Sequence, residues 1–160
     1  LTWKEGKTGY NWASYFDTND GGSTFTKYYN GGGKTTLDPE DDAAHVNWGG
    51  NWRMPTKAEQ DELQQNCTWT WTTDYNNTGI AGYIVTSKAE GNTNSIFLPA
   101  SGYRNDSSLY GVGSYGYYWS SSLRSGYSYF ASFLFFFGSD RVEWVSYYRY
   151  DGHSVRPVCE

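Results

Sequence analysis

The chain is short of cysteine, of clustered basic residues and of long apolar runs, and each shortage excludes a class of protein. Its two cysteines, Cys67 and Cys159, are too few for a disulfide framework, and from the residues alone they form either one bridge or two buried thiols. The formal net charge is −5 without any basic run, which argues against a nucleic-acid partner. No apolar run approaches the length of a membrane span, so we expect no membrane insertion.

Groups that carry catalysis or hold a cofactor are scarce as well. The two histidines, His45 and His153, stand alone in the sequence, and isolated histidines are more often structural. The sequence contains no recognisable set of nucleophile, base and orienting group. Cys67 and Cys159 have no further cysteine with which to build a zinc or copper site. We therefore expect no enzyme activity, no metal and no cofactor.

Aromatic residues and glycine take the place of the scarce leucine, isoleucine and valine. One fifth of the residues are aromatic and 19 are glycine, so Trp and Tyr must supply much of the packing. The length fits one domain, residues 1–160, which we expect to be the C-terminal domain of a longer protein. The Asn-, Thr-, Gly- and Tyr-rich composition is typical of an extracellular protein on a bacterial cell surface or a virion.

A first helix is predicted to begin near residue 38. Asp38 is a suitable N-cap, and Pro39 fits the first turn of a helix. The acidic residues at 40–42 either favour this helix start, through the positive end of the helix dipole, or bind a cation. We expect the helix start.

A second helix is predicted to begin at Thr56. Glu59 follows three residues later, which is the pattern of a capping box. The helix should end at about Asn66, with Ala58 and Leu63 near its buried side.

Short strands separated by turn signals make up most of the remaining chain. Residues 1–36 predict an opening strand followed by a long loop. Apolar alternation predicts strands at 68–72, 82–87 and 94–99, and a Ser-, Gly- and Tyr-rich loop at 105–116. One or two helices followed by several short strands favour an α+β fold over a parallel sheet.

The last third of the chain is crowded with Tyr and Phe. In a strand, Leu134 and Phe136 point to one side, whereas Phe133, Phe135 and Phe137 point to the other. Either all of these rings form a sandwich core, or the outward rings form a binding face, since a soluble domain rarely exposes so many large rings unused. Tyr with Ser, Gly and Asp is also the composition of antibody binding loops.

Four motifs, taken together and in this order, resemble the C-type lectin fold. They are WRMPTKAEQDEL (Trp52–Leu63), IFLPASGYR (Ile96–Arg104), YYWSSS (Tyr117–Ser122) and GHSVRPVC (Gly152–Cys159). The closest branch is the one shared by formylglycine-generating-enzyme-like and Bacteroidetes "major paralogous" domains. The resemblance covers the chain from about residue 36 onward. It implies a compact domain with two helices, a mixed, mostly antiparallel sheet and long loops.

The last third resembles the variable region of a diversity-generating retroelement target protein, which places the variable region at about 117–159. In such systems a reverse transcriptase copies a template repeat with errors at adenines, and the copy replaces the variable segment, so this enzyme acts on the gene rather than on the protein. Mutated Asn codons specify residues such as Tyr, Phe, Ser and Asp, but not Lys, Gln, Met, Trp or Glu. Residues 117–159 contain no Lys, Gln or Met, and the resemblance implies that Trp119, Glu143 and Trp144 are template-encoded.

The resemblance divides this region into scaffold and ligand-binding positions. The implied scaffold residues are Trp119, Ser120, Ser121, Ser122, Arg149, Gly152, Val155, Arg156 and Pro157. The implied variable, ligand-binding residues are Gly126, Tyr127, Tyr129, Phe130, Ser132, Phe133, Phe135, Phe137, Asp140, Val145, Tyr147, Tyr148, Tyr150 and Asp151. Leu123, Arg124, Ser139, Arg141 and Ser146 fit either group. A disulfide between Cys67 and Cys159 is also implied, since many C-type lectin folds tie the first-helix region to the final strand.

The functional expectation is a hypervariable receptor-recognition domain, displayed on a cell surface or a phage particle, that binds a protein or glycan ligand through an aromatic-rich face. A calcium-dependent lectin is not expected, because neither a Glu-Pro-Asn nor a Gln-Pro-Asp motif occurs. The alternative is an adhesin or pilin-tip module without diversification, or a calcium-independent carbohydrate-binding module.

Overall fold

The structure, a computed structural model, describes residues 27–29 and 31–159. It contains two α-helices, α1 (Ala43–Trp48) and α2 (Lys57–Asn66), and 3₁₀ turns at Pro39–Asp41 and Tyr75–Asn77. The strands in this part of the chain are β1 (Trp52–Arg53), β2 (Cys67–Thr72), β3 (Gly82–Ser87), β4 (Ser95–Pro99), β5 (Tyr103–Asn105), β6 (Ser108–Tyr110), β7 (Tyr115–Leu123), β8 (Phe130–Phe137), β9 (Arg141–Tyr148) and β10 (Val158–Cys159). The predicted opening strand near the start of the chain lies outside the described residues.

The sheets are mostly antiparallel. Strands β2, β3 and β4 form one three-stranded sheet, β7, β8 and β9 form another, β5 and β6 form a hairpin, and β1 pairs with β10. Within the described residues, parallel pairing is limited to isolated bridges, Gly102 with Gly116 and Tyr118 with Ser154. The α+β prediction is confirmed, as are the strands predicted at 68–72, 82–87 and 94–99.

Helix α2 begins and ends where the sequence predicted. The Thr56 hydroxyl accepts from the Glu59 amide, and the Glu59 carboxylate accepts from the Thr56 amide, which completes the capping box. Arg53 donates to both Glu59 oxygens at 2.8 and 2.6 Å, and this pairing lowers the pKa of Glu59 to about 2. The predicted burial of Ala58 is wrong. Ala58 is exposed, and Gln60 faces the interior instead, because its Nε2 donates to the carbonyls of residues 118 and 119.

Helix α1 begins four residues later than predicted. Its N-cap is Asp42, whose carboxylate accepts from the amides of Ala44 and His45. Asp42 also accepts from the Met54 amide, which ties α1 to the chain entering α2. Asp38 makes no capping hydrogen bond, because a 3₁₀ turn follows it and its carboxylate pairs with Lys34.

The hydrophobic core joins the two three-stranded sheets. Its buried residues are Tyr83, Val85, Leu98, Ala100, Tyr118, Leu134 and Phe136. Trp69 and Trp71 from β2 and Trp144 from β9 pack against this cluster. The rings meet edge to face, with the centroids of Tyr83 and Phe136 5.1 Å apart, a preferred geometry for aromatic pairs.

The predicted loop at 105–116 is only partly a loop. Residues 103–110 form the β5–β6 hairpin, in which Asn105 pairs with Ser108 across a two-residue connection. Asp106 lies in this connection with a φ of 51°, a conformation that Asn and Asp tolerate better than most residues. The dipeptide Asn105-Asp106, which lies between aromatic residues, is the turn signal from which this hairpin could have been predicted.

The chain end returns to the region before α2. Strand β10 pairs with β1, placing Cys159 opposite Trp52, whereas Cys67 begins β2 opposite Ser87. The two cysteines are not joined by a disulfide bond. The bridge implied by the resemblance is therefore absent from this structure.

Candidate binding face and groove

One side of the β7–β8–β9 sheet is lined by rings and faces away from the core. Phe133, Phe135 and Phe137 alternate with the core residues Leu134 and Phe136, as predicted. Their partners across β7 are Trp119, Tyr117 and Tyr115. We call this set the aromatic face: Tyr115, Tyr117, Trp119, Phe133, Phe135, Phe137, Val145 and Tyr147.

Two of the three outward phenylalanines are buried, which corrects the expectation that all three are available to a ligand. Phe133 is 2% exposed and Phe135 6%, whereas Phe137 is 38% exposed. The reason is a second aromatic layer outside the sheet: the His153 ring lies 4.6 Å from the ring of Phe133, and the Tyr103 ring lies 4.7 Å from that of Tyr117, the partner of Phe135. The binding-face and sandwich-core interpretations each describe part of this strand.

His153 occupies the centre of that second layer. Its ring stacks on Trp119 at 4.0 Å and lies 4.6 Å from Phe133 and 4.9 Å from Tyr117. Burial lowers the pKa of His153 to about 3, and its Nδ1 has no hydrogen-bond partner among the described residues. His153 is therefore neutral at pH 7, and it fits the structural role that the sequence indicated.

Asp151 is a buried carboxylate beside the aromatic face. It is 4% exposed, and the hydrogen bond recorded for it is long, 3.5 Å from Asn105 Nδ2. Loss of solvent raises the pKa of Asp151 to about 6. Asp151 was predicted to contact the ligand, but a ligand could reach its buried carboxylate only by entering the interior of the protein.

A second group of rings joins the β7–β8 loop to the end of β9. The rings of Tyr127 and Phe130 are 5.8 Å apart, those of Phe130 and Tyr147 5.9 Å, and those of Tyr148 and Tyr150 4.9 Å. All five are predicted variable positions. Their contacts are mainly with each other, so one can change without disturbing the core.

The predicted variable positions differ widely in exposure. Exposed positions are Gly126, Tyr127, Tyr129, Phe137, Asp140 and Tyr147; half-buried positions are Phe130, Val145, Tyr148 and Tyr150; buried positions are Ser132, Phe133, Phe135 and Asp151. The exposed ones lie in the β7–β8 loop, in the β8–β9 turn and along β9. The structure thus gathers most of the predicted contact residues in and around one sheet, with four beneath its surface.

The predicted scaffold residues of the YYWSSS motif bond to the rest of the fold. The Ser120 hydroxyl donates to the Ser132 carbonyl at 2.8 Å. The Ser121 amide donates to the Pro55 carbonyl at 2.8 Å, and the Lys57 amide donates to the Ser122 hydroxyl at 3.0 Å.

The scaffold residues near the chain end act likewise. Arg149 Nη1 donates to the Tyr28 carbonyl at 2.8 Å, and the backbones of Gly152 and Arg104 exchange two hydrogen bonds. Arg156 is exposed beside Pro157 and Val158 at a small apolar cleft of about 210 Å³.

A groove of about 300 Å³ adjoins the second group of rings. It is lined by Arg149, by residues 28, 29, 31 and 33–35, and by residues 123–128 and 130, which lie in and beside the β7–β8 loop (residues 124–129). Among the lining residues that the structure describes, Lys34, Arg124 and Arg149 are cationic, and none carries a carboxylate. The guanidinium of Arg124 lies 5.6 Å from the Tyr127 ring centroid, within the range of a cation–π contact.

Some residues of the face and groove were missed by sequence reasoning. Tyr103 and Tyr110 from the hairpin stack at 5.6 Å, and Tyr103 lies 4.7 Å from Tyr117. Tyr28 and Tyr29 line the groove. The signal available in the sequence was that all four residues are tyrosines. Their proximity to residues 117–153 depends on long-range strand pairing, which no local sequence pattern reveals.

The acidic cluster before α1 holds a lysine. Carboxylate oxygens of Asp38, Glu40 and Asp41 lie within 4.8 Å of one another. Lys27 Nζ lies 3.0, 2.8 and 2.5 Å from them, in the order given. These hydrogen bonds, the one to Asp41 first, raise the pKa of Lys27 well above its usual value. The ammonium group supplies the positive charge that the cluster requires.

Within the part of the chain that the structure describes, no helix is long and apolar enough to cross a membrane. Comparisons with family models, with curated proteins and with solved structures gave no match for this chain.

Replacement of Tyr127 by serine is expected to change the free energy of unfolding by less than about 0.5 kcal/mol, because the ring is 55% exposed. Urea unfolding followed by Trp fluorescence measures this change. Tyr118→Ser, at a buried ring, is the matched control that must be clearly destabilised. Equal destabilisation of the two variants would contradict a tolerant β7–β8 loop.

Proposed function

We propose that this chain is a C-type-lectin-like ligand-binding domain whose last third, about residues 117–159, is diversified by a retroelement. It binds a protein or glycan ligand on a surface through aromatic side chains of the β7–β8 loop, β9 and the rim of the aromatic face. Displayed on a bacterial cell or a phage particle, it acts in receptor recognition.

One observation carries the proposal: predicted scaffold and predicted variable positions differ in what they contact. Ser121, Ser122 and Arg149 bond to residues 55, 57 and 28, all outside the last third. Tyr127 and Phe130, in contrast, contact other predicted variable rings. A gene that mutates the exposed variable positions and keeps the scaffold positions retains the fold and changes the surface.

The topology also supports the proposal. The final strand β10 pairs with β1 just before α2, so the end of the chain lies near the first long helix. The disulfide that the resemblance implied would have joined the chain end to Cys67, just after α2, whereas the strand pairing joins it to β1, just before α2. The two helices and the mostly antiparallel sheets agree with the implied architecture.

The exposed rings are suited to anchoring a partner. Tyr127, Tyr129 and Tyr147 offer large amphipathic surfaces, and aromatic anchors carry much of the energy of interfaces. The strands and the half-buried rings hold them in place before binding, which lowers the entropy lost on association. Phe137 and Asp140 extend this surface to the β8–β9 turn.

Sequencing the coding DNA across a population, with a search nearby for a near-copy of its 3′ end, tests the proposal. We expect substitutions confined to template adenines and falling at the predicted variable positions, with a narrower range of residues at the four buried ones. A uniform sequence without a template would contradict diversification and would favour the fixed adhesin or carbohydrate-binding module.

A further inference from the structure

The groove beside the β7–β8 loop has a charge opposite to that of the chain. The protein carries a formal net charge of −5, yet the described residues that line the groove include Lys34, Arg124 and Arg149 and no carboxylate. Lys34 is neutralised by Asp38, which is not a lining residue. The Arg124 guanidinium adds a positive charge to the groove, which favours an anionic ligand.

Arg124 is the cation best placed to bind that ligand. Arg53, Lys57 and Arg141 each pair with a carboxylate, whereas no carboxylate lies within salt-bridge distance of Arg124 among the described residues. Its contact with the Tyr127 ring restrains the guanidinium plane. A guanidinium restrained in this way offers its N–H groups as a fork that matches a carboxylate.

The other lining groups suit a sugar. Tyr29 and Tyr127 are exposed aromatic rings, 47% and 55%, against which the C–H face of a pyranose can pack. Thr35 and Ser125 add side-chain hydroxyls that can bond to sugar hydroxyls. The volume of about 300 Å³ is at the lower end of ligand pockets and fits a single ring.

We propose that this groove binds an acidic sugar of a surface glycan, with the carboxylate on Arg124 and the pyranose ring against Tyr29 and Tyr127. The assignment rests on the proposed function in placing the ligand at the variable segment. An acidic protein side chain shares the carboxylate but leaves the hydroxyl-bearing lining without a partner. The acidic sugar is therefore the ligand class that uses both the arginine and the hydroxyl groups of the groove.

The test is a titration of the 160-residue chain with sodium glucuronate, followed by ¹H–¹⁵N correlation spectra, with glucose as the neutral probe at matched ionic strength. We expect saturable shifts of the amides of residues 124–130 with glucuronate, and binding of glucose at least about tenfold weaker, since a charge-assisted hydrogen bond is lost. Arg124→Gln should weaken glucuronate binding by a similar factor. Arg141→Gln, at an exposed arginine paired with Glu143, is the matched control and should leave it unchanged.

Three results would overturn the assignment. Glucose binding as tightly as glucuronate would remove the role of the carboxylate, and N-acetylglutamate binding equally well would show an acidic side chain as the ligand. Absence of saturable shifts in 124–130 would show that the groove binds no acidic sugar. None of these results affects the sequencing test of diversification, so the two proposals fail separately.

Discussion

Replacement of Phe136 by alanine is expected to lower the free energy of unfolding by about 3–5 kcal/mol, because the change opens a cavity in a close-packed core. Phe136 is 0% exposed and contacts Tyr83, Trp71 and Tyr118. The backbone is adapted to this ring as well. A Cβ on Gly116 would lie 2.0 Å from Phe136 Cζ, so β7 passes close over the ring.

Phe137→Ala is the matched control, since it removes the same ring from the next residue on the opposite side of the strand. Phe137 is 38% exposed and stacks on Tyr115, so we expect a loss of about 1 kcal/mol. Chemical denaturation of both variants gives the comparison. Similar losses for the two variants would contradict the assignment of Phe136 to the core and Phe137 to the rim.

The parts of the fold that the sequence predicted are those with local causes. The capping box of Thr56 and Glu59 lies within one helical turn, and α2 begins there. The strand at 68–72 has an alternation of Thr and Trp that is visible within these five residues. The first helix start was placed at Asp38 instead of Asp42, because both acids are suitable caps, and the choice depends on Asp42 bonding to the distant Met54 amide.

The candidate site was predicted to the extent that it follows from strand alternation. Period-two patterning correctly separated Phe136 from its neighbours, but it contains no information about what covers the other side. The cover comes from Tyr103 in a hairpin not predicted and from His153 after β9. Phe133 and Phe135 are therefore buried by residues far from them in the sequence, which no local pattern could show.

This cover has a consequence for a diversified surface. Changes at Tyr127 or Tyr147 alter exposed rings, whereas changes at Phe133 or Phe135 alter the packing around His153 and Tyr117. We infer that the buried positions accept a narrower range of residues than the exposed ones. In a population of sequences they should vary mainly among large apolar side chains.

The free energy of unfolding should depend on pH through two buried groups, His153 and Asp151, whose contributions change in opposite directions as the pH falls. The folded pKa of His153, about 3, lies below its ordinary value of 6.5, so the unfolded state binds the proton more readily. Its contribution to stability is present above pH 6.5 and is lost as the pH falls towards 3, about 4–5 kcal/mol in total. The folded pKa of Asp151, about 6, lies above its ordinary value of 3.8. Stability from Asp151 is therefore full below pH 3.8 and is lost as the pH rises through 6, about 3 kcal/mol.

Between about pH 4 and 6 the two contributions oppose each other, so single substitutions should separate them. Asp151→Asn removes the buried charge, and we expect it to raise the free energy of unfolding by about 3 kcal/mol at pH 7 and by little at pH 4. His153→Phe keeps an aromatic ring against Trp119 but removes the group that titrates. The free energy of unfolding of this variant should therefore rise as the pH falls from 6 to 4. Urea denaturation of the three proteins across this range measures both slopes. Effects common to all three, such as protonation of Glu59, cancel in the differences, and parallel profiles would show that neither group is buried as the structure describes.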